Sequence, residues 1–416
     1  MNLKLRPYQQ KIVTQLVETD PFKGVLRIDT RLGKSVISIT AACSLKLGKV
    51  VVVCPAFLIP SWKNEVKKWS FNCTKFDFYS SDNFFKKHPG MDEYDLLVWD
   101  ELHRPRKWRR IYYTKDKNGK TVKKRGGQNL EMLVLHVLSA KRFLGLSATP
   151  MISGAEDLYP VLSGLNALNK ISITQFRKIF CLASYNRHSR GLEYHGTNPA
   201  SEKVLREICD KYFIHLRKKD VWKQLPKKTV DKLYIDIPKI PLDESILVRF
   251  VESLREGREF APPEIKSARL ELGLKKVGKV VRFCEGINGQ YVVFTWHRAV
   301  AEAIQEELSK LYDTGLLLGG SRNRDSEIQR FREGKYRAIV CTIGSSGVGL
   351  DFSNASCSVF AELPYTPADL EQCEARIENI NRTSPVNIYH ILANHKLDKR
   401  VSELLEEKRI ATRIME

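Results

Sequence analysis

At 416 residues, 43% hydrophobic and 28% charged, the chain exceeds one ordinary core and reads as a soluble protein of two domains. Its 69 Lys and Arg against 48 Asp and Glu leave a formal net charge of +21, which points to a polyanionic partner, nucleic acid above all. No apolar run approaches membrane-spanning length, no apolar leader core follows Met1, and nine scattered cysteines without a Cys-x-x-Cys pair exclude a zinc site or disulfide frame, so a cytoplasmic protein is expected.

In chain order, the first informative stretch is Val25-Leu26-Arg27-Ile28, an apolar run followed by a polar turn and Gly33-Lys34-Ser35. An Ala-rich helical segment comes next. Strand, loop and helix start are the context of a phosphate-binding loop. Gly33 lets the backbone approach a phosphate, Lys34 reaches the β and γ oxygens, and the Ser35 hydroxyl ligates Mg²⁺. The pattern is incomplete, because Ile28 stands where the first glycine belongs. A bare Gly-Lys-Ser is also found at plain helix N-termini.

Apolar β-type runs then alternate with helical patterns twice over. The first set covers 24–28, 49–54, 96–99 and 142–146. The second covers 291–295, 315–318, 337–342, 358–363 and 386–392. Runs apolar at every position, such as Val50-Val51-Val52-Val53, suit parallel strands buried on both faces. Two sets of alternating units predict an α/β chain with two doubly wound parallel-sheet domains. Between them, from about 171 to 222, the pattern turns helical and polar.

The strand 95–99 ends in two adjacent carboxylates, Asp100 and Glu101. At a strand's C-terminal edge beside a phosphate loop, Asp100 can hold Mg²⁺ through water and Glu101 can orient and deprotonate the attacking water. Directly after them, the insertion 104–128 carries Arg109, Arg110, Lys120, Lys123, Lys124 and Arg125 among eleven basic residues, against the single acid Asp116. Trp108, Tyr112 and Tyr113 are interleaved, and Lys117-Asn118-Gly119-Lys120 is a hairpin-turn signal. A solvated basic loop is the plain reading; a basic hairpin touching phosphates is the functional one.

Asp100-Glu101-Leu102-His103 resembles the Asp-Glu-x-His box of superfamily 2 helicases. Leu144 to Pro150 resembles their motif III, with Asp157-Leu158-Tyr159-Pro160 following as in the Swi/Snf-like branch. Leu5-Arg6-Pro7-Tyr8-Gln9 is similar to that branch's adenine-reading motif, and Cys54 to Trp62 to motif Ia. His215 to Val221 with Leu225-Pro226 is similar to the block joining the two lobes. Val292 to His297, Thr342 to Leu350 and Gln372 to Arg376 match motifs IV, V and VI. Phe360-Ala361-Glu362-Leu363 and Leu272 to Val277 bring the chain nearest the compact annealing-helicase subgroup.

The resemblance implies two RecA-like lobes with helical insertions, 1–225 and 226–416, the helical part of the first beginning near 171. It implies ATP and Mg²⁺ as cofactors and translocation on duplex or branched DNA, with fork remodelling or annealing as outcomes. A monomer in the cytoplasm of a prokaryote or a virus-infected host is expected, with no membrane contact. Gln9 should bond the adenine edge, with Gln10 as an alternative one residue on. Ser147 and Thr149 should couple nucleotide state to lobe closure. Gly347 and Gly349 should allow close approach across the cleft. Gln372 and Arg376, four apart on a helix, should share a face and point together at ATP.

Three residues depart from the family's pattern. Arg31 stands where the branch has glycine, Asn379 where motif VI has its second arginine, and Arg382 where it has a glutamine. An arginine of this kind can be worth about 10³–10⁵ in rate. Arg31 and Asn379 therefore keep open an ATP-gated nucleic-acid clamp with weak or lost hydrolysis, and an RNA-dependent helicase, which shares the cleft motifs, is a second open reading.

Overall fold

The continuous valine run 50–53 is wholly buried, as a strand with neighbours on both edges and cover on both faces must be. The computed structural model describes residues 4–70, 74–81, 83–84, 94–102, 111–115, 121–125, 128–151, 154–186, 191–221, 227–255, 261–321, 323–344, 350–378 and 385–413. The chain divides into two compact units, Met1–Val221 and Trp222–Glu416.

The first unit contains β1 (Lys23–Ile28), β2 (Lys49–Cys54), β3 (Lys75–Ser80) and β4 (Leu96–Asp100). A hairpin of β5 (Ile111–Lys115) and β6 (Thr121–Arg125) follows, then β7 (Phe143–Ser147), a hairpin of β8 (Leu182–Asn186) and β9 (Gly191–His195), and β10 (Phe213–Leu216). Six of these strands form one sheet in the order β10-β1-β7-β4-β2-β3, every pairing parallel. Arg27 pairs with Ser147 and Asp100 with Leu146, so β1, β7 and β4 end level at one edge of the sheet. A level C-terminal edge is where open parallel sheets place their ligands.

The second unit holds β11 (Lys228–Ile235), β12 (Tyr291–Thr295), β13 (Thr314–Leu317), β14 (Ala338–Thr342), β15 (Cys357–Phe360) and β16 (Val386–Ala393). They form a parallel sheet in the order β11-β16-β15-β12-β14-β13. Alternate residues of one strand enter different apolar clusters. Val292 and Phe294 pack with the helices Glu244–Arg255 and Lys396–Arg413, whereas Tyr291 and Val293 pack with Arg298–Ser309. Both faces of the sheet are therefore covered, as the doubly wound reading requires.

Several sequence expectations are corrected. The stretch from 171 to 222 is not uniformly helical: it includes the β8–β9 hairpin and the sheet strand β10. β3 has no counterpart among the expected strands. Both β3 and β10 lie at sheet edges with one neighbour each, so Lys75 and His215 stay exposed and Asp77 half-exposed, and the continuous apolar signature is missing. The run 358–363 ends as a strand at Phe360, because Glu362 turns in to accept the Trp296 and His297 backbone N–H groups at 2.8 and 2.9 Å. Within the basic insertion, β5 and β6 pair antiparallel, with Ile111 opposite Arg125 and Tyr113 opposite Lys123.

Candidate functional site

The loop between β1 and the helix Lys34–Ser44 is built from left-handed backbone. Gly33 caps the helix at φ 85°, the left-handed region that glycine adopts freely, and its Cα lies close beneath the Gln9 side chain. Arg31 has φ 66°. At Arg31 the chain adopts a conformation that a glycine takes freely and an L side chain holds at a cost of about 1–2 kcal/mol. Glu101, with φ 54°, bears the same kind of strain at the end of β4. Such outliers gather at functional sites because the surroundings over-determine them.

Lys34 folds back over its own loop, donating to the Ile28 carbonyl at 2.7 Å and the Asp29 carbonyl at 3.4 Å. Burial pushes its ammonium below the usual lysine value, against the pull of Glu101, Asp100 and Asp29. The lysine of the loop thus lies in the field of the carboxylates at the end of β4. Asp29 also accepts the Lys218 backbone N–H at 2.8 Å, which ties the loop to the end of β10.

Gln9 and Gln10 occupy different environments. Gln9 is buried, accepts the Arg6 backbone N–H at 2.9 Å and donates to the Leu32 carbonyl at 3.2 Å, directly over the loop. Gln10 is exposed on the outer face of its helix. The residue beside the loop is Gln9.

Asp100 and Glu101 are both buried. Asp100 Oδ2 accepts the Trp62 indole N–H at 2.9 Å, and Oδ1 accepts the Glu101 backbone N–H at 2.9 Å. A carboxylate oxygen can accept more than one bond. With the Ser35 hydroxyl, this makes an oxygen-only donor set of the kind Mg²⁺ takes, reached directly or through water. Ser147 is buried at the end of β7, and its Oγ accepts the Thr149 backbone N–H at 3.1 Å. Trp62 and Asp29 are functional candidates that the motif reading did not single out; Trp62 meets Asp100 only through the fold.

In the second unit, Gln372 is half-buried on the helix Pro367–Glu374. That helix stops at Glu374, so Arg376 lies in the turn beyond it. The expectation that the two residues share one helical face is corrected. Arg376 is only 8% exposed, its Nη1 donating to the Leu350 carbonyl at 3.4 Å. Gly347, Gly349, Asn379, Arg382, Arg109, Arg110 and Lys120 lie outside the described residues. Lys123, Lys124 and Arg125 belong to β6, of which the backbone pairing is described.

Among the described residues there is no cluster of three or more His, Cys, Asp or Glu that could hold a metal, and eight cysteines are free thiols. No helix among them is long and apolar enough to cross a membrane.

The SNF2-related domain model matches residues 8–241, and the Helicase conserved C-terminal domain model matches residues 274–381. The chain is 23% identical to the DNA annealing helicase and endonuclease ZRANB3 of Bos taurus, over 98% of this chain and 40% of that protein. It is 25% identical to the Caenorhabditis elegans homolog of SWI/SNF-related matrix-associated actin-dependent regulator of chromatin subfamily A-like protein 1, over 97% of this chain and 61% of that protein. The chain thus spans 40% to 61% of the length of these two relatives. Among solved structures, the Sulfolobus solfataricus SWI2/SNF2 ATPase core in complex with dsDNA aligns with a TM-score of 0.44 and 18% identity, covering all of this chain and 93% of that one. With the SNF2-related match alone covering more than half of its residues, the chain belongs to the SNF2-related family.

Proposed function

We propose that this chain hydrolyses ATP to move along duplex or branched DNA, with fork remodelling or strand annealing as the outcome. The observation that carries the reading is the level edge of the first sheet, where the Gly33-Lys34-Ser35 loop and the Asp100-Glu101 pair come together beneath Gln9. The relatives, a DNA annealing helicase among them, support the DNA side, as does the net charge of +21.

On binding ATP, Lys34 exchanges its two loop carbonyls for phosphate oxygens, and the helix N-terminus after Gly33 adds backbone N–H groups. Ser35 and Asp100 would hold Mg²⁺, which when bound offsets phosphate charge. Trp62 and the Glu101 backbone N–H fix the Asp100 carboxylate, so its orientation needs no adjustment during the reaction. Glu101 orients a water and accepts its proton. Gln9 reads the adenine edge, Gln372 and Arg376 serve the nucleotide, and Gly347 and Gly349 allow close backbone approach. The basic insertion with Arg109, Arg110, Lys120, Lys123, Lys124 and Arg125 tracks phosphates, binding by charge more than by base reading.

ATP turnover measured side by side without nucleic acid and with single-stranded DNA, duplex DNA, forked DNA and RNA tests the reading. Duplex or forked DNA should stimulate turnover most, by about tenfold or more, equivalent to 1.4 kcal/mol of barrier. Stimulation by RNA above DNA would transfer the chain to the RNA-dependent reading. Tight ATP binding with slow turnover on every nucleic acid would favour the clamp, for which Asn379 in the place of an arginine is the specific argument.

A further inference from the structure

Lys228 opens β11, shortly after the boundary between the two units. Its ammonium meets two carboxylates at once, Glu374 Oε2 at 2.6 Å and Glu378 Oε1 at 3.3 Å. These acids flank Arg376 by two residues on either side. One lysine on the incoming strand therefore staples both shoulders of the turn that carries the arginine.

Glu374 is no ordinary surface acid. It is the last residue of its helix and fully buried, and Arg409 reaches it at 3.3 Å while His390 Nε2 stands 3.6 Å away. Burial would raise its carboxyl, but the His390, Lys228 and Arg409 contacts outweigh that and hold it down to about 2. Arg409 also binds Glu371 at 3.1 Å, one turn back on the helix. A charge so placed is tolerated only with its cations, and removing one leaves the buried carboxylate poorly compensated.

Backbone bonds also hold the turn: the Ala375 N–H donates to the Glu371 carbonyl at 2.9 Å and the Glu378 N–H to the Ala375 carbonyl at 3.3 Å. The Arg376 N–H donates to the Cys373 carbonyl at 3.0 Å, and the Arg376 carbonyl accepts the Phe352 N–H at 3.0 Å. The adjoining lysine adds a second hold, since the Lys227 carbonyl accepts the Val386 N–H at 2.9 Å. Glu378 and Val386, on either side of 379–384, are thus both tied to the Lys227-Lys228 pair. Because Arg376 is buried against Leu350, its presentation to any ligand depends on the placement of this turn.

We propose that Lys228 is a positioning residue: through Glu374 and Glu378 it sets the turn bearing Arg376, so that the chain entering the second unit governs where that guanidinium can act. The proposal rests on the ATP-hydrolysis reading and deepens it. A purely structural ion pair would behave differently. Lys232 supplies the comparison, lying on the same strand but pairing with the exposed Glu406 at 2.7 Å and with neither acid beside Arg376.

The test is steady-state ATP turnover at saturating duplex DNA for Lys228→Met, Lys228→Arg, Lys232→Met and Glu378→Gln. Lys228→Met should lower kcat about tenfold with KM within about twofold, since a small misplacement costs rate more than binding. Lys228→Arg, whose fork can meet both acids, should recover most of the rate. Lys232→Met should match the wild type, and Glu378→Gln should lose about threefold, because one arm of the staple remains. Wild-type kcat in Lys228→Met, or an equal loss in Lys232→Met, would overturn the proposal. Should Lys228→Met lose its cooperative thermal transition, Glu378→Gln decides, and wild-type kcat there overturns the staple. A wild type that hydrolyses ATP and is silenced by Lys34→Ala, yet is not slowed by Lys228→Met, removes the staple alone. A wild type without hydrolysis removes both readings.

Discussion

Glu101→Gln should bind ATP as the wild type does and lose about 10²–10⁴-fold in turnover, the usual worth of a positioned general base. Glutamine has the shape of glutamate, so the strained backbone at φ 54° and the Glu101 N–H bond to Asp100 Oδ1 should both survive. The Trp62 bond to Asp100 at 2.9 Å is also untouched, so the metal-side oxygens keep their orientation. Only the proton acceptor is removed. Lys34→Ala should fail differently, at nucleotide binding, because it deletes the cation that the loop now shields with its own carbonyls. Equilibrium binding of a fluorescent ATP analogue beside steady-state turnover separates the two. Wild-type turnover in Glu101→Gln would remove Glu101 from the chemistry.

Replacing Lys120, Lys123, Lys124 and Arg125 together with Ala should weaken DNA binding and flatten its dependence on salt. Each phosphate neutralised on duplex DNA contributes about 0.9 to the slope of log affinity against log salt. Four lost contacts therefore remove up to about 3.6 from that slope. Between 50 and 200 mM salt, wild-type affinity should fall about 10²-fold further than the variant's. ATP binding without DNA should not change, since β5 and β6 form a separate two-stranded sheet rather than joining the sheet that carries the phosphate loop. A titration at four salt concentrations reads the slope directly. An unchanged slope would mean that these charges face solvent and touch no phosphate.

Much of this fold was legible because its central strands are apolar without interruption. The runs at 50–53, 96–99 and 291–294 announce two-faced burial, and the phosphate loop and acidic pair follow from what stands at their strand ends. Edge strands were harder. Lys75-Phe76-Asp77-Phe78-Tyr79-Ser80 and Phe213-Ile214-His215-Leu216 pair on one side only, so they carry polar residues that a pattern search discounts. Gln9 could not be told from Gln10 by spacing; burial over Leu32 and Gly33 separates them. The i, i+4 spacing of Gln372 and Arg376 suggested one helical face, but periodicity does not reveal where a helix stops. This helix stops at Glu374, a buried acid held by Lys228 and Arg409, partners distant in sequence. Trp62, on the helix that follows β2, is likewise brought to Asp100 by the fold alone.

ATP-driven movement along duplex DNA is read most directly by displacement of a third strand from a triplex. The track is a duplex with a short triplex-forming oligonucleotide bound beyond a loading region, with release followed by fluorescence. The wild type with ATP and Mg²⁺ should strip the third strand well above the spontaneous rate, while Glu101→Gln, and wild type given ADP, should not. Bound DNA and brisk ATP turnover with no displacement above background would contradict ATP-driven movement along the duplex.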